Sequence, residues 1–171
     1  MKRAFIASIL AVICSCSINA QETVESTAVS ANTDNNAAVP ARLQQLEFIS
    51  EAKPAADAQF YVYLSSASWC PPCRAIMPRI VAQYPAIKNA GGEIILLCCD
   101  RTTEAGLVYL KKYGIPFPAI MVDPRSIAGI NLPGFQVPRG IPSISIVNPA
   151  GELIHAGHGA TLLRWQDIIK K

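Results

Sequence analysis

The sequence predicts an α/β protein with a central mixed β-sheet flanked by helices. Strand-like and helix-like segments alternate over residues 60–113, a pattern typical of a sheet covered by helices. The run EIILLCC is apolar almost throughout, which suits a central strand buried on both faces. A hairpin and a helix follow it toward residue 171. These observations indicate one α/β sandwich, which we place at residues 41–171, and we see no internal repeat.

The first predicted elements are a helix and a strand. In RLQQLEFISEA, the residues Leu43, Leu46 and Ile49 recur at helical spacing, and Pro54 ends this predicted helix. The segment FYVYLS, which begins at Phe60, is rich in aromatic and β-branched residues. We therefore expect it to form the first strand.

The later elements continue the alternation. A helix is expected over residues 72–84, and the Gly91-Gly92 turn leads into the strand EIILLCC. A second helix is expected over residues 104–113, followed by a proline- and glycine-rich stretch at residues 115–140. SISIV, the turn NPAG and ELIHA then form a hairpin. LLRWQDIIKK is expected to form the closing helix, with lysines in its last turn.

The first 20 residues have the layout of a secretory signal peptide. Two basic residues precede an apolar run of about ten residues, and small residues follow up to Ala20, after which we expect cleavage. The run is too short to span a membrane, because a spanning helix needs about 20 predominantly apolar residues. The alternative is a lipoprotein anchored through Cys16, since the preceding ICS loosely resembles a bacterial lipobox. Both interpretations predict an extracytoplasmic protein, either periplasmic or secreted.

Residues 21–40, QETVESTAVSANTDNNAAVP, are mostly small and polar and show no apolar period, which predicts a flexible linker. The net charge of the chain is +3, and removal of Lys2 and Arg3 with the signal leaves 3 − 2 = +1. So small a charge implies neither nucleic acid nor an anionic surface as a partner.

The six cysteines are grouped rather than spread along the chain. Two lie in the predicted signal peptide, which leaves the pairs Cys70 with Cys73 and Cys98 with Cys99. A small disulfide-stapled scaffold would distribute its cysteines, so we do not expect one here. We interpret Cys98 and Cys99 as core residues. Adjacent residues of a strand face opposite sides, so these two thiols are not expected to bind one metal ion.

The segment SWCPPCR places Cys70 and Cys73 between a predicted strand and a predicted helix, as in redox-active thiol pairs. If Cys70 immediately precedes the helix, Pro71 and Pro72 occupy positions where a missing N–H costs little. Unpaired N–H groups there favour the Cys70 thiolate, the form that attacks disulfides, and Cys73 then resolves the mixed disulfide. A static disulfide in so short a loop would add little stability, and zinc would need a second ligand pair.

Several of these motifs resemble the thioredoxin superfamily. SASWCPPCRAIMP is similar to its active-site segment, and the WCPPC form most resembles tryparedoxins, nucleoredoxins and bacterial TlpA/ResA-type proteins. Pro78 matches the proline that kinks the active-site helix, and RGIPSISIV resembles the segment with a cis-proline, here Pro142 after Ile141. Gly159 matches a glycine that borders the substrate groove. The resemblance covers residues 60–171 and implies a thioredoxin-like fold.

The resemblance implies an exported thiol-disulfide oxidoreductase that uses Cys70 and Cys73 as catalytic residues and needs no cofactor. Its partners are expected to be protein dithiols and disulfides, and the protein itself is expected to be a monomer. Ile141 before the proline resembles the reducing branch of the superfamily, which would need a membrane electron donor in an oxidising compartment. The expected substrate-binding residues are Trp69, Pro71, Pro72, Ile141, Pro142 and Gly159.

One position departs from the resemblance. Many thioredoxins carry a buried aspartate six positions before the first cysteine, where this chain has Leu64. That aspartate helps to move the proton of the resolving cysteine. Its replacement here would be water or a carboxylate brought close by the fold, such as Glu93 or Asp100.

A second function remains open at the level of sequence. Soft thiolates bind Cu(I) well, so Cys70, Cys73 and His158 would suit a copper-binding chaperone with a thioredoxin-like fold. Carriers of this kind usually have three residues between their cysteines, whereas this chain has two. We therefore prefer the disulfide reductase over the copper chaperone.

Overall fold

The structure is a computed structural model that describes residues 38–123 and 125–170. Within these residues five strands form one mixed sheet, in the order β3, β2, β1, β4, β5. The strands are β1 (Phe60–Ser66), β2 (Gly92–Cys98), β3 (Ala119–Met121), β4 (Ser143–Val147) and β5 (Leu153–His158). β1, β2 and β3 run parallel, while β4 is antiparallel to both β1 and β5.

Helices flank this sheet in the described part of the chain. They are α1 (Val39–Leu43), α2 (Pro71–Asn89), α3 (Thr103–Tyr113) and α4 (Trp165–Ile169), with 3₁₀ helices at Ile127–Ile130 and Gly159–Arg164. The predicted fold class, a mixed sheet flanked by helices, is therefore confirmed. None of the helices in the described part of the chain is both long and apolar enough to cross a membrane.

The sheet is buried on both faces because successive side chains of a strand point to opposite sides. In β1, Val62 and Leu64 enter one hydrophobic core, whereas Tyr61 and Tyr63 enter the other. β2 behaves in the same way, and all seven of its residues are buried. This explains why EIILLCC lacks the alternation of a strand with one solvated face.

The predicted first helix is wrong in its extent. α1 ends at Leu43 and begins at Val39, inside the predicted linker. Leu43 and Leu46 pack in one core, but Ile49 packs against the other, so their spacing does not mark one helical face. Instead, the Ile49 N–H donates to the carbonyl of Ala119 at 2.9 Å, and Ser50 Oγ accepts from the Ala119 N–H at 2.8 Å. This pairing with β3 replaces the predicted helical hydrogen bonds.

α2 is longer than predicted, since it continues past Tyr84 to Asn89. Pro85 lies inside the helix and cannot donate a backbone hydrogen bond. Ile87 nevertheless stays helical and is fully buried, packing close to Gly92 at the start of β2. Burial of this last turn outweighs the hydrogen bond that the proline removes.

The structure adds two elements that the sequence did not predict, and it corrects the closing helix. The proline- and glycine-rich stretch contains β3, which is only three residues long, and a 3₁₀ helix. The predicted closing helix is divided into a 3₁₀ helix followed by α4. Trp165 at the start of α4 stacks on Phe60 with ring centroids 6.1 Å apart, which places the break where the chain meets the core.

The predicted signal peptide, the candidate lipidation residue Cys16 and most of the predicted linker lie outside the described residues. Within the described part, the topology brings several loops to one edge of the sheet. The carboxyl ends of the parallel strands β1, β2 and β3 meet there, together with the start of β4 and the end of β5. Open α/β sheets commonly bind ligands outside the carboxyl ends of their strands.

Candidate active site

A disulfide joins Cys70 and Cys73 at the amino end of α2, with their Cα atoms 5.2 Å apart. Cys70 caps the helix with an extended backbone, and its Sγ accepts from the Cys73 N–H at 3.3 Å. Pro71 and Pro72 occupy the first helical positions, where their fixed φ suits the helix and no N–H partner is lost. The predicted arrangement of the motif is therefore confirmed.

The two cysteines differ little in exposure. Cys73 is fully buried, but Cys70 is only 3% exposed. What distinguishes Cys70 is its place on an open pocket of about 460 Å³, whose lining does not include Cys73. A partner that enters this pocket therefore meets Cys70 first.

The Ile141–Pro142 peptide bond is cis, as the resemblance implied. The Ile141 carbonyl oxygen lies 3.6 Å from Cys70 Sγ, so the loop before β4 closes over the disulfide. Gly159 supports this loop from behind, since its N–H donates to the Pro142 carbonyl at 2.9 Å. A Cβ on Gly159 would lie 2.7 Å from Pro142 Cβ, too close for any other residue without displacement.

The structure brings most of the predicted site residues together. Trp69, Pro71, Pro72 and Ile141 line the pocket beside Cys70. The Trp69 side chain is 54% exposed, which is unusual for so large an apolar group and leaves it free to contact a partner. Pro142 and Gly159 are buried next to the pocket and do not line it.

Sequence reasoning missed part of the lining. Cys99 reaches the pocket from the end of β2, and Ile127, Pro138, Arg139 and Gly140 come from the proline- and glycine-rich stretch. No local periodicity marks these residues, because a loop exposes its side chains in no regular order. Their approach to Cys70 is a consequence of the strand order.

Asp100 attaches the active-site loop to the end of β2. Its carboxylate, only 3% exposed, accepts from the Ser68 hydroxyl at 2.6 Å and from the Ser68 N–H at 3.1 and 3.2 Å. Cys98 Sγ donates to the same carboxylate at 3.2 Å. The next residue in the loop is also held, since Trp69 Nε1 donates to the Cys99 carbonyl at 3.1 Å. Asp100 is thus a buried acceptor that holds Ser68, two residues before Cys70.

Glu93, the other carboxylate considered as a proton acceptor, lies at the opposite edge of the sheet. It is the second residue of β2, so about five residues, or roughly 16 Å, separate it from the end of that strand. Its oxygens accept from Tyr84 Oη at 2.7 Å and from Lys88 Nζ at 3.0 Å. The suggestion that Glu93 serves Cys73 is therefore wrong.

Cys98 and Cys99 are buried on opposite faces of the sheet, in different cores, as predicted. Burial raises the pKa of Cys98 to about 12 and that of Cys99 to about 11. Both thiols therefore stay protonated at neutral pH and react slowly.

The geometry does not favour the copper-binding alternative. His158 caps the 3₁₀ helix that follows β5, because its Nδ1 accepts from the Ala160 N–H at 3.2 Å. Within residues 38–123 and 125–170, no three His, Cys, Asp or Glu side chains are grouped to hold a metal ion, and this includes the set Cys70, Cys73 and His158.

Comparisons with known proteins agree with this geometry. The AhpC/TSA family model matches residues 41–156. Nucleoredoxin from Mus musculus is 38% identical over 93 residues, which cover 52% of this chain and 20% of nucleoredoxin. The thiol-disulfide oxidoreductase ResA from Bacillus subtilis is 28% identical over 87 residues, which cover 51% of this chain and 46% of ResA. The chain thus spans less than half the length of either relative.

Solved structures share the fold. The thioredoxin domain of a thiol-disulfide oxidoreductase from Bacteroides vulgatus superposes with a TM-score of 0.55 at 17% identity. The superposition covers 67% of this chain and 81% of that domain. The sheet, the flanking helices and the cysteine pair at the start of α2 therefore lie in a thioredoxin-like fold.

Proposed function

Because the chain belongs to the AhpC/TSA family and has a thioredoxin-like fold, we propose that it is an exported thiol-disulfide oxidoreductase that reduces disulfides in extracytoplasmic proteins. The disulfide between Cys70 and Cys73 supports this proposal most directly, since it lies at a helix amino end beside an open pocket. Thiol-disulfide exchange requires a reactive thiolate, a second thiol and access for the partner.

The first step is attack by reduced Cys70 on the substrate disulfide. Cys70 Sγ forms a bond to one substrate sulfur, the substrate S–S bond breaks, and the second substrate sulfur leaves as a thiolate that takes up a proton. The Cys73 N–H, 3.3 Å from Cys70 Sγ, stabilises the attacking anion. Trp69 and Ile141 line the same pocket as Cys70 and provide apolar surface for the partner chain.

The second step is resolution by Cys73. Its thiol loses a proton and attacks Cys70 Sγ, which restores the Cys70–Cys73 disulfide and releases the first substrate sulfur. The substrate has then gained two electrons, and the cysteine pair has lost them. A dithiol donor must return these electrons before the next cycle.

Two features of the sequence support the proposed reducing direction and compartment. Residues 1–20 support export, and Ile141 before Pro142 supports reduction, which in an oxidising compartment requires a membrane electron donor. Trapping Cys70 and Cys73 with an alkylating mass tag in intact cells tests the direction. We expect the cysteine pair to be mostly reduced in cells. A fully oxidised pair would contradict the proposed reducing direction.

The activity is tested by insulin reduction with a dithiol as electron source. We expect the native protein to accelerate the reaction and Cys73→Ser to accumulate mixed disulfides through Cys70, which mass spectrometry locates. Cys70→Ser should abolish both turnover and trapping, because Cys73 is buried and does not line the pocket. Turnover by Cys70→Ser would show that the two roles are wrongly assigned.

A further inference from the structure

A second cleft lies on the other side of Trp69. Its volume is about 710 Å³, and it shares Trp69 and Cys99 with the pocket beside Cys70. The rest of its lining comes from the segments that follow β2 and β3, chiefly Arg101, Thr102, Asp123 and Arg125. We call it the arginine cleft. A polypeptide bound at Cys70 can reach it by passing over Trp69.

The cationic groups of the arginine cleft have no partner in the described residues. Arg101 and Arg125 are exposed, and neither guanidinium forms a hydrogen bond or a salt bridge with residues 38–123 or 125–170. The salt bridge that the structure shows, between Lys88 and Glu93, lies at the opposite edge of the sheet. The two guanidiniums thus keep all their donors available.

The acidic groups nearby are already engaged. Asp100 is buried and accepts from Ser68 and Cys98. Asp123 Oδ1 accepts from the Arg125 backbone N–H at 2.9 Å. The Asp100 carboxylate and one oxygen of Asp123 thus have hydrogen-bond partners within the protein, whereas the two guanidiniums have none in the described residues.

The carboxylate of Glu104, which lies near the arginine cleft in sequence, interacts with groups at the start of its own helix. Hydrogen bonds with its own backbone N–H and with the Thr102 side chain lower the pKa of Glu104, in the first turn of α3. This carboxylate lies at the amino end of α3, where the helix dipole favours a negative charge, and it is not in the lining of the arginine cleft.

Two further arginines lie near the disulfide. Arg74 follows Cys73 in α2, and Arg139 lines the pocket beside Cys70. Both are exposed, and neither forms a salt bridge within the described part of the chain. Four exposed arginines thus lie at the same edge of the sheet as the cysteine pair, where a partner must approach.

We propose that the arginine cleft binds an acidic segment of the protein substrate, close to the disulfide that is reduced. Guanidinium groups pair with carboxylates in a planar, two-bonded geometry, and exposed arginines of this kind also steer an acidic partner during its approach. The proposal rests on the proposed function and names the class of substrate: a disulfide with aspartate or glutamate near it.

Three synthetic peptides test this preference. Each has the same length and one internal disulfide, and the residues after the second cysteine are glutamates, glutamines or lysines. At low ionic strength we expect kcat/KM to be about tenfold higher for the glutamate peptide than for the lysine peptide, since each exposed ion pair contributes a few-fold. High salt should remove most of this difference, because it screens exposed charges.

Charge reversal locates the effect. The variant R101E/R125E should prefer the lysine peptide, and R101Q/R125Q should lose most of the preference for the glutamate peptide. The matched control is K111E/K112E, which makes the same change in net charge at exposed positions near the other end of α3. It should keep the preference of the native protein for glutamate. Circular dichroism verifies that each variant is folded.

The outcomes separate this proposal from the proposed function. If the native protein reduced all three peptides at equal rates, the proposal that the arginine cleft binds acidic segments would be wrong. The proposed oxidoreductase activity would still stand. A preference that survives in R101E/R125E, or that disappears in K111E/K112E, would also overturn the cleft proposal. Failure of the native protein to reduce any of the peptides would overturn the oxidoreductase, and the cleft proposal with it.

Discussion

Cys70 and Cys73 belong to one disulfide but have different surroundings. Cys70 Sγ accepts a backbone hydrogen bond, lies next to the Ile141 carbonyl and lines the pocket. Cys73 is covered on all sides. After reduction, the anion is stabilised on Cys70 because a first-turn N–H and the amino end of α2 both favour negative charge there.

The first prediction concerns the reduced pair. Cys70 should react with iodoacetamide well below the reference thiol pKa of about 8.5, and Cys73 should react slowly. Cys98 and Cys99 provide an internal control, since burial raises their pKa values to about 12 and about 11. Peptide mapping after pulses at several pH values measures all four rates. A faster reaction at Cys73 than at Cys70 would contradict the assignment.

The second prediction concerns Asp100. Its carboxylate holds Ser68, two residues before Cys70, and a nearby negative charge disfavours the Cys70 thiolate. Asp100→Asn removes this charge but keeps one acceptor oxygen, so the alkylation profile of Cys70 should shift to lower pH, by less than about one unit. Asp123→Asn, an exposed change at the same edge, should shift the profile less. A shift to higher pH in Asp100→Asn would show that its role is only structural.

At the scale of elements, the site depends on contacts between loops that belong to different strands. The loop before β4 carries Ile141 and Pro142, and the 3₁₀ helix after β5 begins at Gly159 behind them. The two are joined by the hydrogen bond from Gly159 to Pro142 and by close packing. The position of the Ile141 carbonyl beside Cys70 is thus controlled from the far side of the loop.

The third prediction tests this support. In Gly159→Ala, the new Cβ would lie 2.7 Å from Pro142 Cβ and 3.0 Å from Ile76 Cδ1, so the loop must shift. We expect a loss of about 1–3 kcal/mol in the free energy of unfolding and a clear fall in kcat/KM for insulin reduction.

Gly129→Ala is the matched control for Gly159→Ala, since nothing lies within 4 Å of its Cβ position. It should change stability by less than about 1 kcal/mol. If Gly159→Ala reduced insulin as fast as Gly129→Ala, the packing behind Pro142 would be irrelevant to the site.

At the scale of the whole molecule, the sheet order collects the functional groups. Because β1, β2 and β3 are parallel and adjacent, the segments after them meet at one edge. These segments carry Trp69 with Cys70, Asp100 with Arg101, and Arg125. The opposite edge holds the ion pair of Lys88 and Glu93. The cysteine pair and the arginine cleft thus lie on the same side of the protein.

The fourth prediction concerns the exported form. The sequence of residues 1–20 predicts that the native protein begins near Gln21, because a signal peptidase would cleave after Ala20. Intact mass measured on protein purified from its own cells decides this. A mass that includes Met1 would contradict export by cleavage, and a lipid-sized addition at Cys16 would support the lipoprotein alternative.

Local features of the sequence were sufficient to predict the arrangement of the cysteine motif and most of the helices and strands. The spacing of Cys70 and Cys73, with two prolines between them, is enough to predict a helix that begins at the thiols, because capping and proline geometry act within a few residues. The burial of EIILLCC was also predictable, since a strand without polar positions must be covered on both faces.

Only the tertiary structure decided which distant residues complete the site. Ile49 pairs with Ala119 instead of extending a helix, and Asp100, not Glu93, lies near the cysteines. Ile127 and Arg139 come from a stretch whose sequence shows no period, and they reach Cys70 through the order of the strands. The physical reason is that local propensity acts over a few residues, whereas strand pairing and core packing join segments far apart in the chain.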